Sequence, residues 1–160
     1  MMIKIGDSLP QMTLMKATPD GPEPLETASY FANRTTVLFA VPGAFTPTCS
    51  ARHLPGFVER RDDFTAKGVD QVACISVNDG FVMGAWGESA NATGQIDMIA
   101  DGNGEFAQAL GLDMDSSGFG MGLRSRRYAM IVEDNVVKAL NVEEPGTFEV
   151  SSADYVLNQL

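Results

Sequence analysis

The run Thr35-Thr36-Val37-Leu38-Phe39-Ala40-Val41, cut off by Pro42-Gly43, constrains this chain more than any other feature. A β-branched and apolar segment without polar alternation reads as a strand buried on both faces, which belongs inside a sheet covered by helices. Pro42 has no amide hydrogen for a ladder, and Gly43 leaves strand geometry easily, so the strand stops there. The chain then enters a helix expected from Thr48 to about Lys67, with Gly68 as its stop and a kink or break near Pro55-Gly56. With Thr48 as N-cap, Cys49 falls in the first turn, where unpaired amides and the macrodipole favour a thiolate. Thiolate is the nucleophilic form of cysteine, so this placement is an argument for reactivity. Thr46, three residues earlier, brings a hydroxyl within reach of the sulfur or of an oxygen bound beside it.

Strand and helix patterns alternate along the rest of the chain, with no repeat or linker to divide it, and residues 1–160 are expected to form one domain. Residues 3–34 hold short extended pieces, a Pro-rich turn at Pro19 to Pro24 and a short helix around Thr27 to Ala32. Gln71 to Val77 is a second apolar strand, Phe81 to Asn91 a helix, Ile96 to Ala100 a strand, and Glu105 to Leu110 a helix ended by Gly111. Asp113 to Gly122, rich in Gly, Ser and Asp, reads as a long loop near a functional site. Tyr128 to Val132 and Val136 to Val142 form a hairpin through Asp134-Asn135, residues that tolerate left-handed backbone. Ser152 to Leu160 closes the chain as a helix. This order predicts an α/β, thioredoxin-like fold: a mixed central sheet flanked by helices, with an N-terminal extension and an insertion before the C-terminal hairpin. In such a sheet, ligands and chemistry collect where a strand's carboxyl end feeds a helix, the place of Cys49. A dithiol oxidoreductase carries Cys-x-x-Cys there; this chain has Thr46 in the first position, so the chemistry starts from one thiol.

Composition narrows the partners. Of 160 residues, 44% are hydrophobic and 20% charged, enough for a real core. The formal net charge of −10, with eleven Lys and Arg in no long run, argues against nucleic-acid binding. No stretch reaches the ~18 apolar residues of a membrane span, and the N-terminus lacks a signal-like apolar core, so a cytoplasmic protein without membrane association is expected. Two cysteines give no disulfide framework and fit a reducing compartment.

The segment Pro42-Gly43-Ala44-Phe45-Thr46-Pro47-Thr48-Cys49-Ser50, followed by His53 and Pro55-Gly56-Phe57, resembles the active-site signature of the peroxiredoxins, specifically the type II (type 5) group. The likeness continues in order and spacing through Ser76-Val77-Asn78-Asp79, Phe81-Val82-Met83, Ala85-Trp86, Ala100-Asp101-Gly102-Asn103-Gly104, Gly122 to Tyr128 and Val150 to Ala153, covering nearly the whole chain. It implies a thiol peroxidase that reduces hydrogen peroxide and alkyl hydroperoxides through a Cys49 sulfenic acid, with no cofactor. Among Arg124, Arg126 and Arg127, which the residues alone do not rank, the family pattern selects Arg127 as the guanidinium that stabilises the sulfur and the developing oxygen charge. Thr46 adds a hydroxyl as a further donor, and Pro42 packs over the cysteine and limits water. The resemblance also implies a homodimer with contacts near the active-site loops.

Other residues have competing readings. Cys74 lies mid-strand in Val72-Ala73-Cys74-Ile75 and reads as core. With no cysteine after it, the sulfenic acid is expected to be reduced in trans, by glutathione with glutaredoxin or by thioredoxin. His53 lies at i+4 from Cys49, and the resemblance implies a structural role for it in supporting the active-site loop. Its rival role as catalytic base would make the chain a cysteine-dependent transferase or hydrolase, and an inert Cys49 would leave a thioredoxin-like binding module. One His and two Cys supply too few soft ligands for a zinc site. Trp86 and Phe45 read as core or subunit-contact residues, and Asp62-Asp63 and Glu143-Glu144 as exposed charge.

Overall fold

A computed structural model describes every residue from Met1 to Leu160. Its centre is a seven-stranded sheet in the order β2-β1-β5-β4-β3-β8-β9. The strands are β1 Thr13–Lys16, β2 Glu23–Glu26, β3 Thr35–Ala40, β4 Gln71–Ser76, β5 Asp97–Ala100, β8 Tyr128–Glu133 and β9 Val136–Val142. β3, β4 and β5 run parallel, and β8 joins β3 antiparallel. The expected α/β, thioredoxin-like architecture with a mixed sheet is therefore present. The apolar run at residues 35–41 occupies the sheet interior because its alternate side chains are needed on two faces. Val37, Phe39 and Val41 enter one core cluster, Leu38 and Ala40 the other.

Helices cover both faces: α1 Thr27–Tyr30, α2 Leu54–Glu59, α3 Arg61–Ala66, α4 Gly80–Ser89, α5 Glu105–Leu110 and α6 Ala153–Leu157. Cys49, Phe57, Phe64, Met83, Trp86 and Val156 share one core with Phe39 and Cys74. Asp134 and Asn135 turn the β8–β9 hairpin with φ of 46° and 67°, as their tolerance for left-handed backbone allows. No helix is long and apolar enough to cross a membrane.

Two expectations need correction. The helix starts at Pro47, before Thr48, whose side chain makes no capping bond. Proline suits the first helical position because its missing amide hydrogen has no partner there. The helix is also not simply kinked at Pro55-Gly56. Residues Cys49–His53 form a π turn in which the Leu54 amide reaches the Cys49 carbonyl, and the later break lies at Arg60, between α2 and α3. Pro55 cannot donate back into the preceding turn, so widening that turn breaks no bond that Pro55 would otherwise make.

The Gly- and Ser-rich stretch from Asp113 to Gly122 is more ordered than a loop. β6 Asp113–Asp115 pairs with β7 Leu123–Ser125 in a separate two-stranded sheet, with a short 3₁₀ turn at Ser117–Phe119 between them. Alternating apolar residues are too few in either strand to announce it. Arg124 braces the hairpin, donating from Nε to the Met121 carbonyl at 2.9 Å and from Nη1 to Val77 at 3.0 Å.

Candidate active site

Cys49 lies wholly buried at the start of the π turn, beyond the carboxyl end of β3. Arg127, immediately before β8, donates from Nη2 to the Cys49 Sγ at 3.0 Å. Its Nη1 meets His53 Nδ1 at 2.8 Å. An arginine has only hydrogens to give, so Nδ1 must be the acceptor, and the ring hydrogen sits on Nε2. Nε2 then donates to the Ser151 carbonyl at 2.9 Å. Burial first, and the Arg127 charge second, push the His53 pKa down to about 3, against a smaller upward pull from Ser151. The imidazole is neutral at ordinary pH and orients the guanidinium toward the sulfur.

The chain of contacts continues into residues that the sequence did not single out. Ser151 donates from its amide and hydroxyl to Glu143 Oε2 at 2.9 and 2.6 Å, and the Glu149 amide adds a bond of 2.7 Å. The Glu143 amide returns to the Arg127 carbonyl at 3.0 Å, which closes the circuit. Glu143 is thus buried rather than an exposed charge. Burial raises its pKa, but the bonds from Ser151, Glu149 and Val150 outweigh that and leave it below its ordinary value. Its one visible signal in the sequence was its position at the end of a strand before Pro145-Gly146, which is too common to carry an assignment.

The loop from Pro42 to Thr46 covers the opposite side. The Ala44 amide donates to Asn78 Oδ1 at 3.0 Å, and Ser76 Oγ donates to the same oxygen at 2.6 Å. Phe45 takes a φ of 63°, an uncommon state for a bulky residue. Gly43 has no spare room: a Cβ there would lie 3.1 Å from Thr46 Cγ2 and 3.2 Å from Met121 Cε. Thr46 donates to the Gly43 carbonyl at 2.7 Å. A hydroxyl has one hydrogen, so in this arrangement the Thr46 oxygen has only acceptor capacity left, not the donor role expected of it. Trp86 is core, and its Nε1 pins Ser50 Oγ at 3.0 Å.

The structure therefore brings Arg127 onto the Cys49 sulfur with His53 behind the guanidinium; Pro42 and Arg127 border one cavity, while Thr46 stays bonded to the Gly43 carbonyl. Of the other arginines, Arg124 braces the β6–β7 hairpin and Arg126 Nη2 donates to the Glu143 carbonyl at 3.2 Å. Cys74, paired with Phe39 and Met98 in the middle of the sheet, is wholly buried. Burial, then the neighbouring Cys49 charge, hold its thiol well above the ordinary value, with Arg127 opposing weakly. A thiol kept protonated is a poor nucleophile.

A buried cysteine gripped by a guanidinium at the end of a thioredoxin-like strand is the arrangement of a thiol-based redox protein. The redoxin family model matches residues 4–157. Peroxiredoxin-2E-2, chloroplastic, of Oryza sativa subsp. japonica is 52% identical over 99% of this chain and 72% of its own length. Peroxiredoxin-2E, chloroplastic, of Arabidopsis thaliana is 47% identical over 99% of this chain and 69% of its own length. The structure of reduced Prx3 from Vibrio vulnificus in complex with hydrogen peroxide superposes with a TM-score of 0.94 at 54% identity, covering 99% of both chains. The chain belongs to the redoxin family as a type II peroxiredoxin, and it is a thiol-dependent peroxidase. The expectation of a cytoplasmic location is overturned by the chloroplastic relatives. Cysteine usage speaks for a reducing environment, and more than one compartment supplies that.

The buried imidazole makes stability depend on pH. Below about 6.5 the unfolded imidazole is protonated, while the folded one stays neutral to about 3. Between those values the unfolded chain binds the extra proton, so stability falls as pH falls, by about 1.4 kcal/mol per unit. The depressed Glu143 carboxyl adds a loss of the same sign at lower pH, through its folded value. Urea unfolding from pH 6 to pH 4 is expected to show that slope, and His53→Gln a slope smaller by about one proton.

Proposed function

We propose that Cys49 is the cysteine that attacks the peroxide and that Arg127, Thr46 and Pro42 build its pocket. The observation that carries this reading is the two-point grip of Arg127 on Cys49 Sγ and His53 Nδ1, at 3.0 and 2.8 Å. The thiolate attacks the terminal oxygen of hydrogen peroxide or an alkyl hydroperoxide. An S–O bond forms, the O–O bond breaks, and the leaving hydroxide or alkoxide takes a proton to become water or alcohol. Arg127 stabilises negative charge as it moves from sulfur to the leaving oxygen, the kind of preorganised donor that costs no reorganisation during the step. Thr46 Oγ accepts the hydroxyl hydrogen of the hydroperoxide and aligns it. Pro42 borders the opening and limits water.

His53 does not serve as a base for a transferase or hydrolase. Its Nδ1 is occupied by Arg127, its Nε2 by Ser151, and the hydrogen-bond partner of the sulfur is the guanidinium. The remaining product, a Cys49 sulfenic acid, is reduced by an external thiol: glutathione with glutaredoxin, or thioredoxin. Supporting a one-cysteine cycle, Cys74 is wholly buried mid-strand and its thiol is held protonated, a poor nucleophile toward a sulfenic sulfur. No cofactor is needed, because two thiols supply both electrons. One domain spans residues 1–160, and it acts as a homodimer. Supporting the dimer, Phe45 and Phe119 are 54% and 87% exposed on segments that meet where Met121 approaches Gly43.

Arg127→Ala is expected to slow hydrogen peroxide oxidation of Cys49 by roughly 10²–10³-fold in stopped-flow fluorescence, with native circular dichroism retained. Loss of fold in proportion to loss of rate would make Arg127 structural instead. Cys74→Ala should keep turnover with an external thiol within about twofold, since an inert buried thiol contributes only packing. A drop of an order of magnitude would show Cys74 to be the resolving thiol. Sedimentation velocity should give twice the chain mass, and Phe119→Asp a shift toward monomer; a monomeric wild type rejects the dimer.

A further inference from the structure

Arg52, Arg126 and Arg127 line one cavity of about 270 Å³ beside the active site, together with Pro42, Thr48 and Phe148. The ion pairs of the protein involve Lys4, Lys16 and Arg60, so none of these three arginines has a carboxylate within 4.0 Å. That is unexpected in a chain with 21 Asp and Glu against 11 Lys and Arg. Glu143 also borders the cavity, but its carboxylate is turned to Ser151 and Glu149. Exposed Glu144 is the one acidic group left at the rim.

Arg127 faces the Cys49 sulfur, while Arg52 and Arg126 are held in place without being neutralised. The Arg52 guanidinium lies 4.8 Å from the centre of the Phe148 ring, which itself packs edge-on against His53 and sits 5.9 Å from Arg127. The Arg52 side chain makes no hydrogen bond within the protein, and the Arg126 guanidinium uses one nitrogen on the Glu143 carbonyl. Gathering like charges costs Coulomb energy that an anion relieves, and the guanidinium fork matches a carboxylate.

We propose that this cavity holds the carboxylate of a small-molecule thiol that reduces the Cys49 sulfenic acid, with Arg52 and Arg126 as its anchors. The proposal rests on the external-thiol cycle above and names the chemistry of the reductant. Because Cys49 is wholly buried, the reducing sulfur must enter through an opening. At about 270 Å³ this one is near the small end of ligand sites, roughly 300–1,000 Å³, which suits a short thiol better than a long acyl hydroperoxide. The thiolate attacks the sulfenic sulfur, an S–S bond forms, and the S–O bond breaks, with hydroxide leaving as water after taking a proton. A second thiol then attacks the mixed disulfide at the reductant's sulfur. This releases Cys49 as thiolate and the two reductants as one disulfide.

The test follows reduction of the stoichiometrically oxidised protein by 3-mercaptopropionate, 2-mercaptoethanol and cysteamine, with rate constants expressed per thiolate. The carboxylate-bearing thiol is expected to be fastest and cysteamine slowest. Arg52→Gln and Arg126→Gln should each lower the mercaptopropionate-to-mercaptoethanol ratio about fivefold, the worth of roughly 1 kcal/mol at an exposed ion pair. Arg52→Lys should recover part of it, and salt should erode it. Comparing thiols within one variant cancels any change at the sulfur itself. An unchanged ratio overturns the proposal. So does selective slowing of a monocarboxylate hydroperoxide against tert-butyl hydroperoxide with the thiol ratio intact, because the subsite would then serve the oxidising half. Calorimetric titration of the reduced protein with S-methylglutathione, which has carboxylates and no thiol, provides the second measurement. Binding that weakens in Arg52→Gln supports the anion subsite; no binding overturns it. If S-methylglutathione binds but none of the three thiols reduces Cys49, the small-thiol cycle fails, and the assignment to a reductant falls with it.

Discussion

The bond from Arg127 to the Cys49 sulfur is the contact on which the rest of the site depends. Its direction is set from behind, where the second guanidinium nitrogen is held by His53. A protonated imidazole would repel the arginine, and burial prevents that protonation. His53 is in turn fixed by the Ser151 carbonyl, Ser151 by Glu143, and Glu143 by the Arg127 backbone. Four segments distant in sequence therefore share one hydrogen-bonded ring: the π turn, the start of β8, the end of β9 and the approach to α6. A carboxylate at the far side of that ring governs the geometry of a thiol it does not touch.

The other wall is made by packing and close backbone approach. Asn78 ties the loop after β3 to the end of β4, and Trp86 on α4 holds Ser50, next to the cysteine. Gly43 lets Met121 come close, so the β6–β7 hairpin seals the loop from outside. The cysteine is thereby gripped from both sides of a widened helical turn, and the left-handed Phe45 is strain that these contacts hold in place.

Much of the fold was legible in the chain itself. The β3 and β4 runs, the helix stop at Gly111 and the Asp134-Asn135 turn are all governed by neighbours a few residues away, so local rules reach them. The β6–β7 hairpin escaped because three-residue strands carry no period. The π turn escaped because its widening depends on contacts made by Cys49, Ser50 and His53 with β8, α4 and the C-terminal segment.

The sequence by itself determined that one thiol stands at a strand-to-helix junction without a partner cysteine beside it, and its motif pattern named Thr46, Pro42 and Arg127. Those facts follow from spacing and from the conformational limits of proline and glycine. Only the tertiary structure decided that His53 is a neutral support, that the Thr46 hydrogen is spent on the Gly43 carbonyl, and that Glu143 is buried. It also decided that Arg52 and Arg126 share a cavity in which neither meets a carboxylate. Protonation state, hydrogen direction and charge balance are set by what lies across space, and residues such as His53 and Ser151 meet only when the chain has folded.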